Sequence, residues 1–202
     1  MIKNIVFDMG NVLLEYNPER YIKTVTTDEV AAGSVLEELF HSDEWRMLDA
    51  GAITEDEAVT RVCARIPQYA GIVEKALVNW HNDLTPIEGM PEIVSELKKR
   101  GYKIYLLSNT SMYFYNFKDR VDMFRLFDGF IISAKENLVK PDILIFERLC
   151  ARYHIKANEC LFIDDLQTNI DSCEKAGFHG HLFLGEEDLH EYLQSIDILQ
   201  KT

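Results

Sequence analysis

The sequence predicts an α/β protein in which a parallel sheet is covered by helices on both faces and a small helical bundle follows the first strand. From residue 84 onward, short apolar runs alternate with helical patterns, and such alternation implies right-handed βαβ units. Residues 17–83, in contrast, show helical periodicity throughout. We therefore expect a core of residues 1–15 plus 84–202 and a helical insert at residues 16–83.

The chain begins with a short buried strand at residues 3–7, followed by the turn Asp8-Met9-Gly10-Asn11. A glycine in such a turn allows the backbone to approach a ligand closely or to adopt a positive φ. Within the insert, Thr54 and Glu57 stand at the separation of a capping box, which predicts the start of a helix. The proline and polar residues of Leu84-Thr85-Pro86 indicate the return to the core.

The second part of the chain supplies the rest of the predicted sheet. Pro91 opens a helix and Gly101 ends it, because glycine is favoured just after a helix C-terminus. The further predicted elements are strands at residues 102–107, 130–133, 160–163 and 181–184, helices at residues 143–153 and 166–176, and a helix near the C-terminus.

The composition indicates a globular protein that does not bind nucleic acid. Hydrophobic residues make up 47% of the chain and charged residues 27%, the proportions of an ordinary soluble domain. The net charge of −13 opposes binding to a nucleic-acid backbone, which depends on clustered Lys and Arg. The same charge repels a phosphate ester, so a bound cation and a local lysine would have to reverse the field at any phosphate site.

We expect a cytoplasmic monomer that does not bind a membrane. The N-terminal residues show no signal-peptide pattern, and no apolar stretch approaches the length that a bilayer requires. The cysteines Cys63, Cys150, Cys160 and Cys173 form no C-x-x-C pair, which argues against a zinc site or a thioredoxin-like motif. We therefore interpret them as reduced thiols.

Polar residues suited to phosphoryl transfer follow three of the apolar runs. In an open parallel sheet, ligands bind beyond the carboxyl ends of the strands, where residues from distant parts of the chain meet. The sequence therefore predicts that these side chains converge on one crevice. They are Asp8 after the first run, Ser108 and Asn109 after Leu106-Leu107, and Asp164 and Asp165 after Leu161-Phe162-Ile163, with Lys140 before the last run.

Asp8 is the candidate nucleophile. A carboxylate can attack phosphorus and hold the group as an aspartyl-phosphate, which water then hydrolyses. Attack by one anion on another requires positive charge, and Mg²⁺ prefers oxygen ligands in octahedral arrangement. We expect Asp8, the Gly10 backbone carbonyl and Asp165 to bind Mg²⁺, with Asp164 binding directly or through water.

Three other residues are candidates for binding the phosphate. Lys140 would neutralise its charge, and Ser108 and the Asn109 amide would donate hydrogen bonds to its oxygens. Each candidate also has a purely structural explanation, since Asp, Ser and Asn commonly cap helices or form turns and Lys140 could be a solvated loop charge. The functional interpretation rests on their joint order at the strand ends of one predicted sheet.

The same segments resemble the four motifs of the haloacid dehalogenase superfamily. The matching segments are, in chain order, residues 7–12 (Phe-Asp-Met-Gly-Asn-Val), 107–110 (Leu-Ser-Asn-Thr), 139–142 (Val-Lys-Pro-Asp) and 162–165 (Phe-Ile-Asp-Asp). The resemblance extends from Lys3 to the C-terminus. It implies a Rossmann-like parallel sheet core with an inserted all-helical cap, here residues 16–83, and Mg²⁺-dependent hydrolysis of a small phosphate ester.

Within the superfamily, the chain is similar to the bacterial alpha-glucose-1-phosphate phosphatase type and to the N-terminal phosphatase domain of soluble epoxide hydrolase, a similarity that residues 45–54 strengthen. A sugar phosphate is therefore the expected substrate. Most phosphatases of the superfamily carry a second Asp two residues after the nucleophile as general acid and base, whereas this chain has Gly10. Glu15, a cap residue or water are the alternative proton donors.

Two other functions remain open from the sequence. A 2-haloacid dehalogenase also uses an aspartate nucleophile and lacks the second Asp, but dehalogenases of the superfamily need no metal and carry no pair like Asp164-Asp165. A catalytically silent protein that binds a sugar phosphate or a partner is the third alternative. In the cap, Trp45 and Trp80 are expected to fill the helical core rather than to stack on a substrate.

Overall fold

In the computed structural model, which describes residues 1–200, a single sheet of five parallel strands forms the centre of the protein. The strands are β1 (Asn4–Phe7), β2 (Lys103–Ser108), β3 (Gly129–Ile132), β4 (Cys160–Asp164) and β5 (His179–Leu182). Their order in the sheet is β3-β2-β1-β4-β5, so the chain winds outward from β1 in both directions. The predicted α/β class with a parallel sheet is confirmed.

Five α-helices follow β1, in the segment predicted to form the cap. They are α1 (Pro18–Val25), α2 (Glu29–Val35), which continues into a π-helical turn (Leu36–Phe40), α3 (Asp43–Asp49), α4 (Glu55–Arg65) and α5 (Ala70–Asn79). The side chains of Asn17, Asp28, Ser42 and Thr54 cap four of them. Thr54 and Glu57 form the predicted capping box, in which each side chain accepts from the other residue's backbone N–H.

The helices of the remaining chain cover the sheet. They are α6 (Met90–Lys99), α7 (Phe114–Phe117), α8 (Ser133–Glu136), α9 (Ile143–Tyr153), α10 (Gln167–Lys175) and α11 (Glu186–Ser195). Side chains alternate between the two faces along β1, so that Ile5 and Phe7 belong to one buried cluster and Val6 to another. Burial on both faces explains why the strands read as continuous apolar runs in the sequence.

The insert shares its apolar core with the sheet. Leu39, Val62 and Leu77 of the insert belong to the same buried cluster as Phe7 and Leu106 of the strands. The division into a core domain and a cap domain remains a prediction. Among residues 1–200, no helix is both long and apolar enough to span a membrane.

The first four strands lie within one residue of their predicted bounds, and the last strand differs more. The last strand is His179–Leu182, two residues earlier than the predicted 181–184. The polar His179 and the glycine beside it gave no strand pattern, but the glycine allows α10 to approach closely: a Cβ at Gly180 would lie 2.7 Å from Cγ2 of Ile170. His181 stacks on Tyr192 with ring centroids 3.9 Å apart, which is a packing role.

Candidate active site

The carboxyl ends of β1 and β4 bring three aspartates together. Asp8 follows β1, Asp164 is the last residue of β4, and Asp165 follows it. One carboxylate oxygen from each lies within 4.8 Å of the others, and β1 and β4 are neighbours in the sheet. The structure therefore places these predicted site residues in one crevice, at the sheet edge where parallel α/β proteins bind ligands.

Lys140 reaches this cluster from the loop before α9. Its Nζ lies 2.7 Å from Oδ1 of Asp8 and 2.7 Å from Oδ2 of Asp164, and its side chain is only 2% exposed. Burial by itself would lower the pKa of Lys140, but the Asp8 and Asp164 carboxylates outweigh burial and raise this pKa above its ordinary value. Lys140 is therefore a buried, charged group between two of the three aspartates.

Asp164 is held by protein donors on both of its oxygens. Leu166 N–H donates to Oδ1 at 2.9 Å, and the Asn169 side-chain amide donates to Oδ1 at 2.9 Å and to Oδ2 at 3.0 Å. Asp164 is fully buried, whereas Asp8 and Asp165 line the open cavity. Sequence reasoning did not identify Asn169, which lies in the first turn of α10 and carries no local signature.

Asn109 holds the backbone of Lys140. Its side-chain amide donates to the Lys140 carbonyl at 2.9 Å, and its Oδ1 accepts from the Lys140 N–H at 2.8 Å. The side-chain amide of Asn109 thus holds the Lys140 backbone, and its hydrogen bond to a phosphate remains a prediction. Ser108, the last residue of β2, is buried and lines the cavity next to Asn109. Asn109 therefore positions the Lys140 backbone, a role that the sequence did not indicate.

We expect Asn109→Ala to lower turnover about tenfold to a hundredfold. The variant removes both hydrogen bonds to the Lys140 backbone, so that the ammonium is held less firmly between its carboxylates. Steady-state kinetics on the wild type and the variant would measure the change. As a control, Asn116→Ala changes an amide outside the cavity and should leave turnover unaltered, whereas unaltered turnover in Asn109→Ala would contradict the positioning role.

Burial and mutual repulsion destabilise the charged forms of the clustered acids. Burial raises the pKa of Asp8 to about 6, while Lys140 lowers it and Asp164 raises it. The pKa of Asp165 is also raised, first by burial and then by Asp164. Three carboxylates around one lysine leave an excess of negative charge, and a divalent cation is the group that such an oxygen-ligand set accommodates.

The turn after β1 differs in detail from the sequence expectation. Positive φ occurs at Asn11, with a value of 55°, and not at Gly10. Gly10 lines the cavity, and a Cβ added there would lie 3.6 Å from Cβ of Tyr16, which is an ordinary contact. The glycine therefore leaves open space beside the candidate nucleophile rather than relieving a backbone strain.

Aromatic side chains of the insert close the other side of the cavity. The cavity has a volume of about 210 Å³, and its lining includes Tyr16, Trp45 and Trp80 of the insert and the adjoining Leu84. The Trp45 and Trp80 rings lie 5.5 Å apart, and Tyr16 contacts both. The two indoles pack in the helical core, as expected, but they also form part of the cavity wall, which was not expected.

Asp49 contributes the remaining carboxylate of the cavity wall. It is the last residue of α3, and burial raises its pKa to about 7, with a further contribution from the charge of Asp8. Glu15 lies elsewhere: it is exposed, its Oε2 is 2.6 Å from Nη1 of Arg20, and this hydrogen bond lowers its pKa. Of the two acids, only Asp49 lines the same cavity as Asp8.

Comparisons with known proteins agree with the fold and with the motifs. A family model described as haloacid dehalogenase-like hydrolase matches residues 2–177. A sesquiterpene phosphatase of Aspergillus oryzae is 26% identical, over 88% of this chain and 88% of that protein. A D-ribitol-5-phosphate phosphatase of Bacteroides thetaiotaomicron is 24% identical, over 88% of this chain and 90% of that protein.

A solved structure extends the similarity to three dimensions. A haloacid dehalogenase family enzyme from Bacteroides thetaiotaomicron, crystallised with magnesium and inorganic phosphate, superposes with a TM-score of 0.76 at 22% identity. The superposition covers 95% of this chain and 99% of that one, so the two share the whole fold.

Proposed function

The chain belongs to the haloacid dehalogenase-like hydrolases, and we propose that it is a Mg²⁺-dependent phosphomonoesterase that forms an aspartyl-phosphate on Asp8. The observation that carries the proposal is the meeting of Asp8, Asp164 and Asp165 within 4.8 Å, with the Lys140 ammonium 2.7 Å from the first two. These four side chains come from three separate segments of the chain. Their chemistry matches phosphoryl transfer, in which charge stabilisation and positioning supply most of the catalysis.

The residues present fit a magnesium ion. The candidate ligands are Asp8, the Gly10 carbonyl and Asp165, all of which line the cavity. Asp164, whose oxygens already accept from protein donors, is proposed to act mainly by holding Lys140 or through a bound water. When bound, Mg²⁺ would neutralise the acidic cluster and draw electron density from the phosphate oxygens.

The proposed roles of the protein groups follow from their positions. Asp8 attacks phosphorus through a carboxylate oxygen, and water later attacks the resulting aspartyl-phosphate to release inorganic phosphate. Lys140 is proposed to stabilise the negative charge that gathers on the transferring group. The Ser108 hydroxyl and the main-chain N–H of Asn109 are proposed to donate hydrogen bonds to phosphate oxygens, since the side-chain amide of Asn109 is engaged with Lys140.

A small organic group fits the part of the cavity beyond the cluster. We propose a sugar phosphate as substrate, because the C–H face of a sugar packs well on an indole or phenol ring, here those of Tyr16, Trp45 and Trp80. The ribitol-phosphate phosphatase similarity supports this class. The same wall also favours a second candidate, the phosphate ester of an apolar alcohol, which the sesquiterpene phosphatase similarity supports.

The acidic cluster weighs against the other two functions. Hydrolysis of a carbon–halogen bond by an aspartate needs no metal, and a cluster of three buried or half-buried carboxylates would be an unnecessary electrostatic cost for such an enzyme. In a protein that only binds a phosphate, the Asp8 carboxylate in the cavity would repel the ligand, whereas a nucleophile is required at that position for phosphoryl transfer. We therefore propose catalysis rather than binding alone.

We expect the purified protein to release phosphate from at least one ester in a panel of sugar phosphates, polyol phosphates, nucleotides and prenyl phosphates. Release should require Mg²⁺, falling at least about a hundredfold in EDTA and returning when Mg²⁺ is restored, because the acidic cluster repels an uncompensated phosphate. A malachite-green phosphate assay would measure it.

Two variants serve as controls for this experiment. Asp165→Asn should raise the Mg²⁺ concentration needed for half-maximal activity, whereas Asp171→Asn, in the exposed part of α10, should leave it unchanged. Turnover of 2-chloropropionate in EDTA would support a dehalogenase instead. Failure to release phosphate from any member of the panel would contradict the proposed function.

A further inference from the structure

Asp49 is an acid of the active-site cavity that has no role in the phosphoryl transfer proposed above. Among the carboxylates that line this cavity in residues 1–200, those of Asp8 and Asp165 belong to the acidic cluster and that of Asp49 does not. It reaches the cavity from α3 of the insert rather than from a strand end. Tyr16 and Trp45, which line the same cavity, are the side chains proposed above to pack on the organic part of a substrate.

The proposed reaction requires a proton donor that the strand ends do not supply. The ester oxygen of an alkyl phosphate leaves as a strongly basic alkoxide unless it is protonated in the transition state. Gly10 has no side chain, and Lys140 is fixed between two carboxylates as a charged group. Glu15 is paired with Arg20 outside the cavity. Of the three candidate proton donors, Glu15 is therefore excluded, and a residue of the insert or water remains.

We propose that Asp49 is a catalytic residue that protonates the leaving oxygen and then deprotonates the attacking water; this inference rests on the phosphatase function proposed above. In the first step the bond from Asp8 to phosphorus forms, the bond from phosphorus to the ester oxygen breaks, and the Asp49 proton passes to that oxygen to give the alcohol. In the second step a water oxygen forms a bond to phosphorus, the bond from phosphorus to the Asp8 oxygen breaks, and a proton of the water passes to Asp49, which releases inorganic phosphate and the Asp8 carboxylate. Atoms and charges balance over the cycle.

The backbone around Asp49 is held by hydrogen bonds to the two ends of α8, as a general acid requires. The Ser133 hydroxyl donates to the Asp49 carbonyl and also accepts from the Thr110 N–H, at 2.8 Å. Asn137 donates to the carbonyl of Gly51 at 3.3 Å. A Cβ at Gly51 would lie 2.2 Å from the Ala134 carbonyl oxygen, so only glycine permits this close docking of the turn on α8.

The environment of Asp49 suits a group that exchanges protons near neutral pH. Burial is the main cause of its raised pKa, which lies at about 7. A general acid is most effective when its pKa is close to the working pH. This property supports the assignment, which stands on the position of Asp49 in the cavity and on the lack of any acid at Gly10.

Leaving-group dependence provides the test, with Asp49→Asn compared to the wild type on two substrates. On the best alkyl phosphate from the panel, kcat/KM should fall at least about a hundredfold. On 4-nitrophenyl phosphate it should fall less than about tenfold, because nitrophenolate leaves without protonation. Hydrolysis of the aspartyl-phosphate still needs a base, so stopped-flow mixing with the nitrophenyl ester should show a burst of nitrophenolate followed by slow turnover.

Matched variants separate catalysis from structure. Asp49→Glu should regain part of the loss on the alkyl ester, and Glu15→Gln should behave like the wild type on both substrates. An equal loss on both substrates, or no loss on the alkyl ester, would overturn the role of Asp49 while leaving the phosphatase function standing. Loss in Glu15→Gln with normal Asp49→Asn would assign the role to Glu15. If the wild type itself releases no phosphate, the proposed function fails first.

Discussion

Asp8→Asn is expected to abolish phosphate release, lowering kcat by at least about 10⁴-fold on every substrate. The amide has the shape of the carboxylate but cannot form an aspartyl-phosphate, so only binding and electrostatic contributions would remain. Single-turnover mixing with labelled substrate, followed by acid quench, should show a covalent phosphoprotein in the wild type and none in the variant. Asp122→Asn, at a residue whose side chain is 87% exposed, should retain wild-type turnover.

The same substitution should not weaken the fold. Burial raises the pKa of Asp8 from 3.8 to about 6. Ionising Asp8 therefore lowers the unfolding free energy of the metal-free protein. This loss develops as the pH rises from about 4 to about 6, and it is reversed when the pH falls again. In EDTA, the unfolding free energy of Asp8→Asn should therefore equal or exceed that of the wild type above pH 6, by at most about 3 kcal/mol. Lower stability of the variant there would contradict this account of the acidic cluster.

The strand-end residues could be predicted because their signal is local. Asp8, Ser108 and Asp164 each end a buried apolar run, and a parallel sheet places the ends of such runs together whatever the loops do. The crevice formed by these residues therefore follows from the order of strands and helices along the chain. Lys140 also follows, because it lies in the loop just before α9, and the helix that precedes the next strand of a βαβ unit starts at the carboxyl ends of the strands.

The residues that sequence reasoning missed depend on packing between distant elements. Asp49 ends a short helix, where an acid has no distinctive local pattern, and its place in the cavity depends on the docking of the Gly51 turn on α8. Asn169 likewise has no distinctive local pattern, although its side-chain amide donates hydrogen bonds to both carboxylate oxygens of Asp164. Trp45 also has two roles that depend on such packing. Its ring packs on Trp80 in the core of the insert, and it lines the cavity only after the insert has folded onto the sheet.

The other large effect is expected for Lys140→Met, which should lose both activity and stability. Methionine matches the aliphatic length of lysine but leaves Asp164, which is fully buried, without its cation. Breaking a buried pair in this way costs about 3–5 kcal/mol of unfolding free energy. Turnover should fall at least about a hundredfold, because the charge that stabilises the transferring phosphoryl group is removed. Urea unfolding and steady-state kinetics would measure the two losses.

Charge and packing contributions can be separated by a second substitution. If the loss of stability comes from the stranded carboxylate, adding Asp164→Asn to Lys140→Met should restore about 1–3 kcal/mol, because the isosteric amide carries no charge to bury. If it comes from the packing of the lysine side chain, the double variant should be no more stable than the single one. Lys135→Met, at an exposed lysine, should match the wild type in both assays.

The loss of Lys140 should also change how stability depends on pH. Lys140 lowers the pKa of Asp8, so the pKa of Asp8 should be higher in Lys140→Met. The unfolding free energy of the variant should therefore fall more steeply than that of the wild type as the pH rises, the direction expected when uncompensated buried acids ionise.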